Sequence, residues 1–220
     1  DFLYSEHEVN IIRDEVIKFR ELGADGVVIG MLNKDGEVDI ENMKKVLAER
    51  GNMKVTFHRA FDMCKDPVKA FKDIKNLGID ILLTSGQKKT AIEGKELIKK
   101  LVEISREGKT EEQKGFPEVM MACGIDSLKK LEDMLNYTHA SAFHMSAKRV
   151  IDSEMKYRNP EVNMGIEGFS EYQKLETDKN TVATDDFKIL DFTDFSFSEL
   201  TINLSDFLNS AFRNIIPFIT

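Results

Sequence analysis

The chain has 220 residues, of which 41% are hydrophobic and 32% charged, and a formal net charge of −8. This composition is typical of a globular chain with one sizeable core, and the negative charge argues against a nucleic-acid-binding surface. Its two cysteines, Cys64 and Cys123, are too few for a disulfide scaffold and indicate a reducing compartment. No apolar run reaches the length of a membrane span, so no membrane partner is predicted.

The first elements are a helix, a strand and a second helix. Ser5 and Glu8 fit a capping box that opens a helix ending at Gly23. The continuous apolar run over residues 26–32 predicts a strand buried on both faces. Asp39 is placed to cap the helix that follows.

The stretch over residues 54–64 predicts the next strand and its polar tip. It starts with β-branched and aromatic residues and ends in polar and sulfur-containing ones. Asp66 and Pro67 then match the N-cap and first position of a helix. A third strand over residues 79–83 ends in the Thr84-Ser85-Gly86 turn.

The same alternation continues to about residue 145. Thr90 and Glu93 predict a second capping box, opening a helix that runs to about Ile104. Residues 118–122 predict the fourth strand and residues 140–145 the fifth, with a short helix between them. Alternating strands and helices predict an α/β fold with a parallel sheet and all strand tips on one face, as a (β/α)₈ barrel or an open doubly wound sheet.

The pattern changes after Ser146. Residues 148–159 are strongly charged, and no strand is predicted there. Apolar residues spaced from Leu204 to Ile216 predict an amphipathic helix packed on the sheet. A membrane-surface helix is disfavoured because the polar face lacks Lys and Arg.

The strand tips carry the residues with chemical potential. If Val55 and Phe57 face the helices, alternation places the side chain of His58 inward, as an acid, a base, a metal ligand or a hydrogen-bonded histidine. His144 closes the fifth strand. The hydroxyls and backbone N–H groups of Thr84, Ser85 and Gly86 could hold an anion.

Two further pairs leave alternatives open. Arg59 and Asp62 either pair with each other and position the loop, or Arg59 holds a carboxylate or phosphate. Cys64 and Cys123 lie just past strand ends, where soft sulfur ligands suit Cu(I), although cysteines also fill cores. Since the chain has no GxGxxG motif after a strand, no Walker loop and no HExxH motif, these residues do not name a reaction.

Six blocks of sequence resemble the CutC copper homeostasis family. The most specific is Val55-Thr56-Phe57-His58-Arg59-Ala60-Phe61-Asp62, and the resemblance extends from residue 1 to about Val182. The others cover residues 23–28, 35–39, 83–86, 143–148 and 155–160.

The resemblance implies a TIM-type barrel in a cytoplasmic protein linked to copper handling. By position it favours mouth residues at the strand tips: His58, Arg59, Asp62, Ser85 and His144. Only five of the eight expected βα units can be counted, so we predict a partial barrel domain over residues 1–183. A divergent tail over residues 184–220, helical from about 204, follows it. Ala122-Cys123-Gly124 stands where the family tends to carry a Gly-rich turn, which weakens any phosphate-loop interpretation there.

The resemblance leads to three hypotheses. The first is a copper-binding protein with Cys64 and Cys123 as Cu(I) ligands. The second is a TIM-barrel enzyme acting on a small anionic metabolite, with His58 or His144 as general acid or base, Arg59 on the anion and Asp62 beside it. The third is a fragment that has lost function. Whether the chain forms a homo-oligomer is left open.

Overall fold

A computed structural model describes residues 1–107, 115–145, 148–159, 161–162 and 170–177. The first of its two units comprises residues 1–144 of this range. Its helices are α1 (Glu6–Glu21), α2 (Ile40–Leu47), α3 (Pro67–Asn76), α4 (Lys95–Glu107) and α5 (Leu128–Thr138), with a 3-10 helix at Arg59–Met63. Its strands are β1 (Gly26–Ile29), β2 (Lys54–Phe57), β3 (Ile81–Thr84), β4 (Glu118–Ala122) and β5 (Ala142–His144).

The five strands form one parallel sheet in the order β1-β2-β3-β4-β5. Their registers pair Val27 with Val55, Phe57 with Leu82 and Met121 with Phe143. Strand order therefore follows chain order, and every strand points the same way. The predicted alternation of strands and helices around a parallel sheet is confirmed, and it brings the carboxyl ends of all five strands to one edge.

The predicted helix starts are confirmed by their caps. The Ser5 hydroxyl accepts from the Glu8 N–H at 3.4 Å, and the Glu8 carboxylate accepts from the Ser5 N–H at 2.7 Å. Asp39 accepts from the Asn42 N–H, and Asp66 accepts from two N–H groups of α3, whose first residue is Pro67. These side chains bind N–H groups that have no partner within the helix.

The helix expected from Thr90 onwards begins later, at Lys95. Thr90 does accept from the Glu93 N–H at 3.3 Å, but residues 91–94 form turns. The Ala91 N–H donates to the carbonyl of Cys123 at 2.9 Å, so this N–H serves the end of β4 instead of a helix. Gly94 here crosses the backbone of Gly86 so closely that neither position has room for a Cβ atom.

The core lies on the face of the sheet that carries Val55 and Phe57, both fully buried. Phe61, Phe71 and Ile74 are buried with them. The other face of the sheet is less covered, since Thr56 and Met120 are only half-buried. The helices therefore shield one face of the sheet more completely than the other.

The strand predicted over residues 26–32 is shorter and less buried than expected. After Ile29 the chain leaves the sheet, and Leu32 forms an isolated antiparallel bridge with Val38. Val28 is 38% exposed, so β1 is not buried on both faces. β1 is the terminal strand of the sheet in the described residues, which leaves its less covered face open at Val28.

The second unit begins at Met145, and its described part is an antiparallel hairpin of β6 (Lys148–Asp152) and β7 (Gln173–Thr177). The sequence did not predict these strands. The predicted boundary at 183, the tail and the helix from about 204 lie outside the described residues. Among the described residues, no helix has both the length and the apolar composition needed to cross a membrane.

Candidate functional site

The carboxylate of Asp62 organises the carboxyl ends of β2 and β3. Its Oδ1 atom accepts from the Thr84 hydroxyl at 2.6 Å and from the N–H groups of Ser85 and Gln87 at 3.1 Å each. Its Oδ2 atom accepts from Arg59 Nε at 2.7 Å and from the Ser85 hydroxyl at 2.9 Å. We call Arg59, Asp62, Thr84, Ser85 and Gln87 the Asp62 cluster.

The Asp62 cluster holds its central carboxylate ionised. Burial by itself raises the pKa of Asp62, but the hydrogen bonds from Thr84, Arg59, Gln87 and Ser85 outweigh burial and lower it. The Asp62 side chain is only 6% exposed, so these donors replace water almost completely. Of the two uses predicted for Arg59, pairing with Asp62 is the one the structure contains.

Arg59 extends the cluster to β4. Its Nη1 donates to Cys123 Sγ at 3.0 Å and its Nη2 to the Ser85 hydroxyl at 2.8 Å. Burial lowers the pKa of Arg59, but the hydrogen bond and charge of Asp62 outweigh it, so the pKa is raised. The Arg59 side chain is 39% exposed, which leaves part of the guanidinium accessible.

The predicted anion site takes a specific form. The Thr84 hydroxyl and the Ser85 N–H, predicted to hold an anion, both donate to the Asp62 carboxylate. The Gly86 N–H donates to the Thr84 hydroxyl at 2.9 Å. The donors therefore surround an anion that belongs to the chain itself, and binding of an external anion at Arg59, Thr84, Ser85 and Gly86 stays a prediction.

The two cysteines contact the same cluster through different residues. Cys64 is buried, and its Sγ and carbonyl oxygen accept from the Gln87 amide nitrogen at 3.4 and 2.6 Å. Cys123, half-buried, meets Arg59 and has a left-handed backbone with φ of 73°. Within the described ranges, no group of three or more His, Cys, Asp or Glu side chains could hold a metal ion.

The two thiols are expected to react at very different rates in the folded chain. Burial, then the charges of Asp66 and Asp62, raise the pKa of Cys64 to about 12. Because thiolate is the reactive form, iodoacetamide at pH 8 should modify Cys123 at least about tenfold faster than Cys64. Peptide mass spectrometry measures both rates, and denaturant should make them similar. Equal rates in the folded chain would contradict the burial of Cys64.

His58 faces away from the Asp62 cluster towards β1. Its Nδ1 accepts from the Ala60 N–H at 3.1 Å, so a neutral ring carries its proton on Nε2. The ring lies 4.9 Å from that of Phe2, and a Cβ atom at Gly30 would come within 2.8 Å of Nδ1. Burial lowers the pKa of His58, so the neutral form is favoured.

The lowered pKa of His58 predicts a loss of stability on mild acidification. The unfolded chain takes up a proton below about pH 6.5, whereas folded His58 does so only at lower pH. The free energy of unfolding should therefore fall as the pH drops from 7 to 5. His58→Asn, which keeps an acceptor for the Ala60 N–H, should remove part of that fall in urea titrations. An unchanged pH dependence would show that His58 makes no contribution.

His144 is separate from the Asp62 cluster. It ends β5, opposite Ala122, and the residue is exposed. Partial desolvation of the ring lowers the pKa of His144. Within the described residues its side chain makes no hydrogen bond to the cluster. The structure thus joins Arg59, Asp62, Thr84, Ser85 and Cys123 directly and Cys64 through Gln87, but not His58 or His144.

The chain matches the family model described as "CutC family" over residues 1–149, more than half of its length. The chain belongs to the CutC family. It is 40% identical over 165 residues to a family protein CutC of Bacteroides thetaiotaomicron, covering 75% of this chain and 63% of that protein. It is also 40% identical over 185 residues to the human copper homeostasis protein cutC homolog, covering 84% of this chain and 64% of that protein.

A solved structure supports the same fold. The crystal structure of a CutC copper homeostasis protein from Streptococcus agalactiae superimposes with a TM-score of 0.58 and 24% sequence identity, covering 66% of each chain. At this identity the likeness shows the fold alone. The chain spans less than two thirds of the length of the two CutC relatives described above.

Proposed function

We propose that this chain acts in copper homeostasis in the cytoplasm. The observation that carries the proposal is its membership of the CutC family, together with 40% identity to a human protein named for copper homeostasis. Free cysteines support the compartment, because Cys64 and Cys123 are unpaired and a reducing environment keeps thiols in that state.

The proposed architecture is a segment of a (β/α) barrel with the Asp62 cluster at its mouth. Five parallel strands in chain order and a half-covered second face support it. In barrels of this kind the functional groups lie at the carboxyl ends of the strands. Arg59, Ser85 and Cys123 all follow strand ends here.

The finer proposal is that Cys64 and Cys123 bind Cu(I), for which thiolate sulfur is a preferred ligand. Its support is that both sulfur atoms contact the Asp62 cluster, through Gln87 and Arg59. A pKa of about 12 at Cys64 means that the copper ion must displace a proton. Binding should therefore strengthen as the pH rises.

An anaerobic competition titration with a chromophoric Cu(I) chelator tests this proposal. The chain should bind Cu(I), with weaker binding in Cys64→Ser and in Cys123→Ser and none at these residues in the double variant. Each variant is first checked for cooperative unfolding, and Ser153→Ala in the second unit serves as a matched surface control. Undiminished binding by a folded double variant would overturn copper coordination by the two cysteines.

A second candidate function is catalysis on a small anionic metabolite. The observation that favours it is the partly exposed guanidinium of Arg59 beside Ser85. His58 or His144 would then supply the acid or base, although neither is bonded to the cluster. Phosphate should raise the melting temperature under this hypothesis, and Arg59→Lys should abolish the rise. The copper hypothesis predicts no effect of phosphate.

A further inference from the structure

Gln87 has a backbone conformation that its residue type does not explain. Its φ of 58° lies in the left-handed region, which costs a side chain with a Cβ atom about 1–2 kcal/mol. Three non-glycine residues of the described chain have positive φ: Gln87, Cys123 and His139. His139 caps the C-terminus of α5, where this conformation is common. Gln87 has no such role.

The backbone of Gln87 serves Asp62, but a glycine would serve it equally well. The Gln87 N–H donates to Asp62 Oδ1 at 3.1 Å, and glycine offers the same N–H without the strain. What glycine lacks is the amide group. That amide donates to the carbonyl oxygen of Cys64 at 2.6 Å and to its Sγ at 3.4 Å.

We infer that Gln87 is the positioning residue for the Cys64 sulfur, holding it beside the Asp62 cluster in the orientation that receives Cu(I). This rests on the proposed copper function. The amide has two hydrogens, one for the carbonyl oxygen and one for the sulfur, so it fixes both the backbone and the sulfur of Cys64. A donor at the sulfur also favours thiolate, which metal binding requires. The charges acting against ionisation are those of Asp66 and Asp62, the latter paired with Arg59.

Three substitutions separate this role from a structural one. Gln87→Gly relieves the left-handed strain and removes the amide. Gln87→Asn tolerates the conformation and keeps an amide, but is one methylene too short to reach Cys64. His139→Gly is the matched control, because it removes a left-handed side chain far from the Asp62 cluster in the fold.

The test combines urea unfolding with anaerobic Cu(I) competition titrations at pH 7 and pH 8. Both Gln87 variants should unfold at the same or higher urea concentration than wild type and bind Cu(I) about tenfold more weakly. His139→Gly should keep wild-type Cu(I) affinity, and Cys64→Ser marks complete loss of this ligand. Wild-type affinity in the folded Gln87 variants, with Cys64→Ser weakened, overturns the role of Gln87 alone. Unchanged affinity in Cys64→Ser overturns both this role and the Cys64 part of the copper site.

Discussion

Asp62→Asn should lower the free energy of unfolding by about 3 kcal/mol, because it breaks a buried, hydrogen-bonded ion pair. Both carboxylate oxygens accept hydrogen bonds, from Thr84 and Gln87 at Oδ1 and from Arg59 at Oδ2. An asparagine amide can accept at one of these positions only and must turn its NH₂ group towards donors at the other. Arg59 also loses its counter-charge. Urea unfolding measures the change.

The pH dependence identifies the cause of this loss. The pKa of Asp62 is lowered in the folded chain, so its contribution is complete above the unfolded value of about 3.9 and is lost as the pH falls through the folded pKa. The difference between wild type and Asp62→Asn should therefore shrink below about pH 4. Asp14→Asn is the surface control, with an expected change under about 1 kcal/mol. A change at Asp62 no larger than at Asp14 would contradict the role of the cluster.

Gly86→Ala should destabilise the chain by about 3 kcal/mol or more, since left-handed strain and a backbone collision add. Gly86 has a φ of 69°, and a Cβ atom there would overlap the carbonyl oxygen of Gly94 and lie 2.8 Å from its Cα. Backbone atoms cannot move aside without displacing the start of α4 or the end of β3. Thermal or urea unfolding gives the change.

Gly23→Ala is the matched control for this substitution. Gly23 has a similar φ of 78°, but no atom lies within 4 Å of the Cβ position. Only the left-handed strain then applies, about 1–2 kcal/mol. The difference between the two variants measures the crossing of Gly86 and Gly94. Equal losses would mean that the backbone relaxes freely at this crossing.

The elements that the sequence predicted well are those set by local interactions. Ser5, Asp39 and Asp66 cap helices because their side chains reach N–H groups two or three residues away. Residues 118–122 form β4 with the predicted bounds. Turn and cap chemistry of this kind can be read directly from neighbouring residues. The late start of α4 could not, because it depends on β4 accepting the Ala91 N–H.

The composition of the candidate site was only partly predictable. Arg59, Asp62 and Ser85 were expected together because they follow neighbouring strands. Gln87 was not found, because its role depends on a left-handed φ and on contacts with Asp62 and Cys64 more than twenty residues away. His58 was expected to point inward with the others, but its ring packs on Gly30 and Phe2. The 3-10 helix that begins at Arg59 changes the direction of the chain there.

The hairpin of β6 and β7 was missed for another reason. Lys148, Arg149 and Asp152 give β6 a charged sequence with little apolar alternation. Its strand character comes from pairing with β7, which lies more than twenty residues later. A strand whose stability depends on such pairing carries a weak local signal.

Copper K-edge X-ray absorption on the Cu(I)-loaded chain tests the proposed copper ligands most directly. Sulfur scattering from two ligands is expected in the wild type, with one sulfur lost in Cys64→Ser and one in Cys123→Ser. The folded double variant should show none of this sulfur coordination. A wild-type spectrum with only nitrogen or oxygen neighbours, or sulfur scattering that persists in the double variant, would contradict the assignment of Cys64 and Cys123.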